Sequence, residues 1–291
     1  MSDNAIRNSS IKRNDTGLKV VIYIVSIFFA ILTLFPFVIM FTNSFRSTFE
    51  IQGSTLGLVS AHPFQNLAKN WNEITNKEFN PWIGFRNSFI ISTCSTILNV
   101  YFSSLTAYAI SAYEWKLRDA FNNMIVGIMM VPGTVTTIGF VQVVYQLGLA
   151  NKLFMFIIPA IASPMTVFFM RQYLQASLSM EIVQSARIDG AGEFRIFNQI
   201  VVPLMKPAIA TQAIFGYVAS WNNLFMPLIL LTETEKKTIP VMVKLLNGDI
   251  YRREYGAIYL GLLVTVLPLI VVYAFLSRYI VEGVALGGVK S

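Results

Sequence analysis

Charge is what this sequence has least of. Charged residues make up 13% of its 291 positions, about half the roughly 25% carried by soluble domains. A watery surface cannot be built at that density, so a soluble enzyme of ordinary design is excluded. Disorder is excluded as well, because it requires low hydrophobicity and high charge, and 55% of this chain is hydrophobic. The one cysteine, Cys94, can form no intrachain disulfide, and the one histidine, His62, cannot build a histidine-based metal cluster. Cys94 sits in an apolar run and reads as a small packed residue. A phosphate-wrapping Gly-x-x-x-x-Gly-Lys-Ser/Thr loop is also missing, since Gly287-Gly288-Val289-Lys290-Ser291 lacks both the adjacent Gly-Lys and a preceding strand. The net charge of +7 reads as loop charge beside anionic lipid rather than a nucleic-acid footprint.

What is present is long charge-free stretches. No Asp, Glu, Lys or Arg occurs in 20–45, 87–113, 120–151, 153–170, 207–232 or 255–277. A helix needs about 20 mostly apolar residues to cross the hydrocarbon layer, and lipid leaves backbone groups no partner outside the helix. The expectation is an all-α polytopic membrane protein with six transmembrane helices. It divides into an N-terminal segment 1–19, a six-helix domain 20–281 and a C-terminal tail 282–291. The segment 1–19 is polar and no small-residue cleavage site follows the first run, so this is not a signal peptide but an anchor. Pro36, Pro132, Pro159, Pro164, Pro227 and Pro268 lie within the runs, where each removes a backbone donor and favours a bend. Basic residues divide almost evenly between the two sides. Arg7, Lys12, Arg13 and Lys19 ahead of the first run weigh towards an inside N-terminus.

The runs contain no titratable acid or base of the kind that ion-coupled carriers place within their spans. They offer neutral groups instead: Asn99, Ser103, Ser104 and Thr106; Gln142, Tyr145 and Gln146; and Trp221, Asn222 and Asn223. Amides and hydroxyls beside aromatic rings suit an uncharged, hydroxyl-rich solute. The same groups equally serve as hydrogen bonds between helices.

The segment 171–206 is the longest polar stretch on the expected inner side. Ser179 is placed to cap a helix, Glu181 stands in its first turn, and Ile182, Ala186 and Asp189 recur at helical spacing. Gly190 supplies the left-handed residue that ends it. A second short helix is expected over 193–202, with Phe194, Phe197 and Val201 on one stripe. Such a hairpin either lies on the lipid surface or fits a groove on a partner.

This loop resembles the EAA loop of ATP-binding-cassette importer permeases, whose pattern is E-A-A, three residues, G, nine residues, I, one residue, L-P. Here Gln184-Ser185-Ala186, Gly190, Ile200 and Val202-Pro203 keep every spacing. Gln184, Ser185 and Val202 replace the Glu, the first Ala and the Leu. Trp221-Asn222-Asn223 with Pro227-Leu228, Thr238-Ile239-Pro240-Val241, and Gly287-Gly288-Val289-Lys290 are similar to the carbohydrate-uptake branch, the maltose-type permeases. The resemblance implies half of a translocation pore, completed by a second homologous permease subunit. An ATPase dimer on the cytoplasmic face would hold the ATP and Mg, with no cofactor bound by this chain. An extracytoplasmic solute-binding protein would deliver the sugar, and both termini would be cytoplasmic in the cell membrane. Within 179–203 it assigns ATPase coupling to Gln184, Ser185, Ala186, Asp189, Gly190, Ala191, Ile200 and Pro203. Asn99, Gln142, Tyr145, Trp221, Asn222 and Asn223 are expected along the sugar path. A permease for a polyol or glycerol phosphate, and a secondary carrier, remain as alternatives.

Overall fold

The computed structural model describes residues 2–54, 56–76, 79–246 and 253–288, with side chains over 17–54, 56–75, 79–246 and 253–275. Gly248, the side chains of Arg7, Lys12 and Arg13, and those of the tail 282–291 therefore lie outside the described residues. The elements described are all helical. They form two compact units, Met1–Ile74 with Asp249–Leu263, and Thr75–Gly248 with Val264–Ser291.

In the first unit, α1 (Ser2–Ser44) carries Pro36 without a break. Its apolar side chains from Leu18 to Phe41 are mostly exposed, as a helix bathed in lipid requires. Two short helices follow, α2 (Thr48–Gly53) and α3 (Pro63–Asn76). Ser47 and Glu50 form a capping box at the start of α2. Glu50 also accepts from the Ala61 N–H at 3.0 Å, the Ser60 hydroxyl at 3.1 Å and Asn66 Nδ2 at 2.9 Å. These donors, led by the Ser47 N–H, draw the Glu50 carboxyl down from 4.5 to about 2 against the opposing effect of burial. Arg46 is buried and donates to Asn43 Oδ1 at 2.8 Å and the Glu50 carbonyl at 2.6 Å. Asn70 donates to the carbonyls of Ser44 and Arg46. Gly256, where the last helix begins, approaches this knot so closely that a Cβ would lie 2.3 Å from the Arg46 carbonyl oxygen and 2.4 Å from Asn70 Nδ2.

The second unit is organised around α4 (Pro81–Ala112), capped by Asn80, with Pro81 in the first turn. One side of α4 is a buried stripe of small polar residues: Asn87, Ser88, Ser92, Ser95, Thr96, Ser103 and Ser104. Ser104 donates back to the Val100 carbonyl at 2.6 Å, which satisfies its hydroxyl inside its own helix. The chain continues through α5 (Arg118–Met129), α6 (Gly133–Gln146), α7 (Phe154–Ile157) with a 3-10 turn Ile158–Ile161, and α8 (Pro164–Ser177), of which α7, its turn and α8 pack on α4. Then come α9 (Met180–Ile188), α10 (Glu193–Ile196), a π turn Phe197–Val201, α11 (Val202–Leu204) and α12 (Lys206–Trp221). The unit is completed by α13 (Phe225–Leu230), α14 (Ile239–Leu246) and the continuation of α15 (Tyr255–Gly288). Residues 235–242 pack against the start of α4. Asn87 donates to the carbonyls of Glu235 and Lys237, the Ile239 N–H donates to Ser88, and Ile239, Val241 and Met242 are buried.

Among the described residues, four helices are long and apolar enough to cross a bilayer: Gly17–Ser44, Pro81–Ala112, Phe154–Ser177 and Tyr255–Phe275. Two bent pairs, Arg118–Met129 with Gly133–Gln146 at 96° and Glu193–Leu204 with Lys206–Trp221 at 79°, bring the number to as many as six where each pair counts as one broken span. The 120–151 run is thus broken at Pro132, while Pro36 and Pro268 are absorbed within continuous helices. The 207–232 run also differs from one straight span. Its helix stops at Trp221 and resumes at Phe225. The two interrupted runs are tied at their ends: Tyr145 donates to the Ile229 carbonyl at 2.8 Å, and Asn151, at φ 59°, accepts from the N–H groups of Thr232 and Glu233.

Gly256→Ala is expected to cost about 1–3 kcal/mol, because the Arg46 backbone cannot yield; thermal unfolding of the detergent-purified chain measures it. The stabilisation from Glu50 is complete above about pH 4.5 and is lost as pH falls towards about 2. Glu50→Gln should flatten that dependence, read as the rate of proteolysis in the 47–66 loop on acidification.

Candidate functional site

The 179–203 loop folds onto the ends of the spans. Ser179 caps α9, accepting from the Glu181 N–H at 3.3 Å. The helix ends at Gly190, whose φ of 78° is costly for any residue with a Cβ. The loop buries Val183 and Ala186 of α9 and Ile196, Phe197 and Val201 of the following turns. They join one cluster with Ala107 and Tyr108 of α4, Met170 and Leu174 of α8, and Met205 and Ala208 at the start of α12. This is a rigid knob rooted in the bundle.

The continuation departs from a regular helix over 193–202. Pro203 has no N–H, and just ahead of it the ladder widens to a π turn in which the Val202 N–H reaches the Phe197 carbonyl. Phe197 and Val201 share the buried stripe, but Phe194 does not. It is 71% exposed, as is Ile188 at 86%, so two large apolar side chains of the loop point away from the bundle.

A charged knot holds the hairpin closed. Arg187 at the end of α9 donates to Glu193 at the start of α10, Nε to Oε1 at 2.6 Å and Nη2 to Oε2 at 3.2 Å. Tyr113, just past α4, donates its hydroxyl to the same carboxylate, and the Arg187 guanidinium lies over the Tyr113 ring at 5.3 Å. The hydrogen bonds from Arg187, then from Tyr113, hold the Glu193 carboxyl below its ordinary value. Burial, then the bond to Glu193, pushes the Tyr113 phenol up. Each element end thus contributes one group: α4 a phenol, α9 a cation and α10 an anion.

Of the loop residues expected from sequence, Ala186, Asp189, Ala191 and Ile200 surround one hollow of about 280 Å³ with Arg195, Ile196 and Gln199. Gln184 and Ser185 are exposed on α9, Gly190 makes the turn and Pro203 follows the π turn. The ion pair of the loop is Arg187–Glu193, six residues apart, a pairing that no motif spacing announces.

Deeper in the second unit, a cavity of about 310 Å³ lies between α4, α12 and the 158–161 turn. Its lining is hydroxyls, amides and small apolar groups, among them Ser88, Ser95, Thr96, Asn99, Ser220, Asn223 and Thr238, with no charged residue. Asn99 accepts from Ser103 at 3.1 Å, and Ser95 and Ser220 share a hydrogen bond at 3.1 Å. The Thr96 and Thr238 hydroxyls are buried with no hydrogen-bond partner. Of the residues expected along a solute path, Asn99 and Asn223 meet here. Gln142, Tyr145 and Asn222 are exposed elsewhere. Trp221 is buried, stacked on Tyr217 and donating its indole N–H to the Thr265 carbonyl at 3.0 Å. The serines of α4 and Thr238 were hidden in sequence because hydroxyls recur throughout that helix and only packing selects which face the cavity.

With this geometry in place, the chain matches a known family over residues 99–285, described as binding-protein-dependent transport system inner membrane component. The chain belongs to that family. It is accordingly a multi-pass membrane permease. It is similar to the arabinooligosaccharides transport system permease protein AraQ of Halalkalibacterium halodurans, 33% identical over 90% of this chain and 93% of the relative. It also resembles the lactose transport system permease protein LacG of Rhizobium radiobacter, 31% identical over 90% and 92%. A solved bacterial ABC transporter involved in import of the acidic polysaccharide alginate shares the permease fold. There the TM-score is 0.77 at 23% identity, covering 92% of this chain and 98% of that one.

If Tyr113 and Glu193 act as one knot, Tyr113→Phe and Glu193→Gln should be non-additive, with a coupling of about 0.5–2 kcal/mol in a thermal-unfolding double-mutant cycle of the permease. Additive effects would show two independent contacts.

Proposed function

We propose that this permease forms half of the pore of an ATP-driven sugar importer, and that the 179–203 loop is where a partner ATPase delivers mechanical work. An extracytoplasmic solute-binding protein supplies the sugar, and a second homologous permease completes the path. The loop and both termini face the cytoplasm. ATP and Mg are held by the ATPase.

The observation that carries the coupling role is the two-faced hairpin. Its inner face is continuous with the ends of α4, α8 and α12, while Ile188 and Phe194 present apolar surface outward. A rigid knob of this kind fits a groove on a partner and transmits displacement to the spans it is rooted in. ATP binding then biases a two-state element whose other end is the pore. The choice of sugar rests on relatives of matching length named for arabinooligosaccharide and lactose transport, and on the uncharged hydroxyl-and-amide cavity. There Asn99 and Asn223, with Ser95, Thr96, Ser220 and Thr238, offer the alternating donors and acceptors that a polyhydroxylated solute pairs with. Gln142, Tyr145 and Asn222 are exposed on this chain and available to the path shared with the second permease; Trp221 fixes the end of α12.

Ile188→Asp changes only an exposed side chain and should break co-purification with the ATPase and vanadate-sensitive uptake, while the permease still inserts and folds. Gly190→Trp should abolish uptake by forcing a bulky side chain into the left-handed turn. Wild-type uptake in both variants would remove the loop from the coupling path.

A further inference from the structure

A second cavity, of about 330 Å³, lies where α4, α5, α8 and α9 converge, lined by Ile110, Ser111, Arg118, Arg171, Leu174, Gln175, Leu178 and Met180. Its chemistry is unlike that of the hydroxyl cavity. Two guanidinium groups, from the start of α5 and the middle of α8, share it with an amide and a hydroxyl, and among the described residues no carboxylate lines it. Arg118 donates Nε to Asp119 Oδ1 at 3.2 Å, but the Asp119 side chain is 86% exposed, so solvent screens that pair. Arg171 Nε and the Ser111 hydroxyl are buried without a hydrogen-bond partner. A buried donor left unpaired is costly, and here two such donors stand beside one cationic hollow. Leu174, Leu178, Ile110 and Met180 supply its apolar wall.

We infer that this cavity is a phosphate-ester site filled by the headgroup of an anionic phospholipid. The inference rests on the cytoplasmic placement of the 179–203 loop proposed above. That placement puts the cavity at the end of the spans, where the carbonyl of the exposed Trp115 accepts from the N–H of the lining residue Arg118 at 3.1 Å, at the depth where aromatic rings and headgroups meet. The cytoplasmic leaflet is the anionic one and attracts clustered basic residues. The pairing of guanidiniums with an apolar wall fits a phosphate joined to glycerol and acyl chain better than a free anion. Met180 is the first residue of α9 and Leu178 immediately precedes its cap, so the occupant sits at the root of the loop. Binding there braces α9 against α8 and makes uptake sensitive to lipid composition.

The assembled transporter, permease pair with ATPase, is placed in nanodiscs of phosphatidylcholine with or without phosphatidylglycerol, and retained lipid is counted by native mass spectrometry. The wild type should retain phosphatidylglycerol selectively. Arg171→Gln and Arg118→Gln should each weaken retention about fivefold, and Arg171→Lys should restore part of it. Arg118 is at the protein surface, so its variant remains informative if Arg171→Gln does not fold. Equal retention by wild type and both glutamine variants overturns the site. Displacement of the lipid by millimolar inorganic phosphate overturns the lipid assignment in favour of a soluble phosphate. Uptake is measured on the same samples with an added binding protein. If sugar uptake fails in every lipid while selective retention persists, the transport reading falls and the lipid site stands.

Discussion

Close approach of α4 to its neighbours is the constraint on which the second unit depends. In lipid, apolar surface brings no advantage to helix association, and packing must come from small residues and interhelical hydrogen bonds. The buried Asn87, Ser88, Ser92, Ser95, Thr96, Ser103 and Ser104 supply the small side chains, and Asn87, Ser88 and Ser95 supply the bonds to other elements. Their short side chains let α12 and α8 pack close, and their polar groups reach partners such as Ser220, Ile239 and the carbonyls of Glu235 and Lys237. The same stripe leaves the uncharged cavity where packing is incomplete. Larger apolar residues along α4 would fill that cavity and push α12 away. Fold and site are therefore set by one run of serines and threonines.

At one end of α4 the packing changes character. Ala107 and Tyr108 enter the apolar cluster beneath the loop, and Tyr113 enters the knot with Arg187 and Glu193. Both arginine and glutamate side chains are partly exposed, so their ion pair alone adds little stability. Its value is geometric. A bidentate guanidinium-carboxylate contact fixes the angle between α9 and α10, and the phenol fixes that angle relative to α4. The apolar cluster supplies the adhesion and the knot supplies direction.

Much of this was legible in the residues, because it depends on local physics. The absence of charge located the spans, Ser179 and Gly190 bounded α9, and the spacing from Gln184 to Pro203 marked the loop. What was not legible depends on distant contacts. The sequence does not reveal that Glu193 is shared by Arg187 and Tyr113, because one partner is 80 residues away. Nor does it reveal that Trp221 turns inwards to the Thr265 carbonyl while Asn223 turns to the cavity, since past a helix end facing is decided by neighbours and not by the helical period. Phe194 was misplaced on the buried stripe because Pro203 inserts a π turn, and a widened ladder shifts every residue ahead of it off the regular helical period.

The early stop of α12 has a consequence for the cavity. Its 16 residues span about 24 Å, less than the hydrocarbon thickness, and the next helix begins only at Phe225. Irregular backbone at that depth is tolerated only where it is buried in protein or faces a cavity. Asn223 and Pro227, on either side of the break, line the uncharged cavity. The carbonyls of Val218 and Ser220 are closed off by the N–H groups of Asn222 and Asn223, so the break is stitched by the main chain itself. Side-chain substitution around it can reshape the hollow, while the interruption that opens it stays in place.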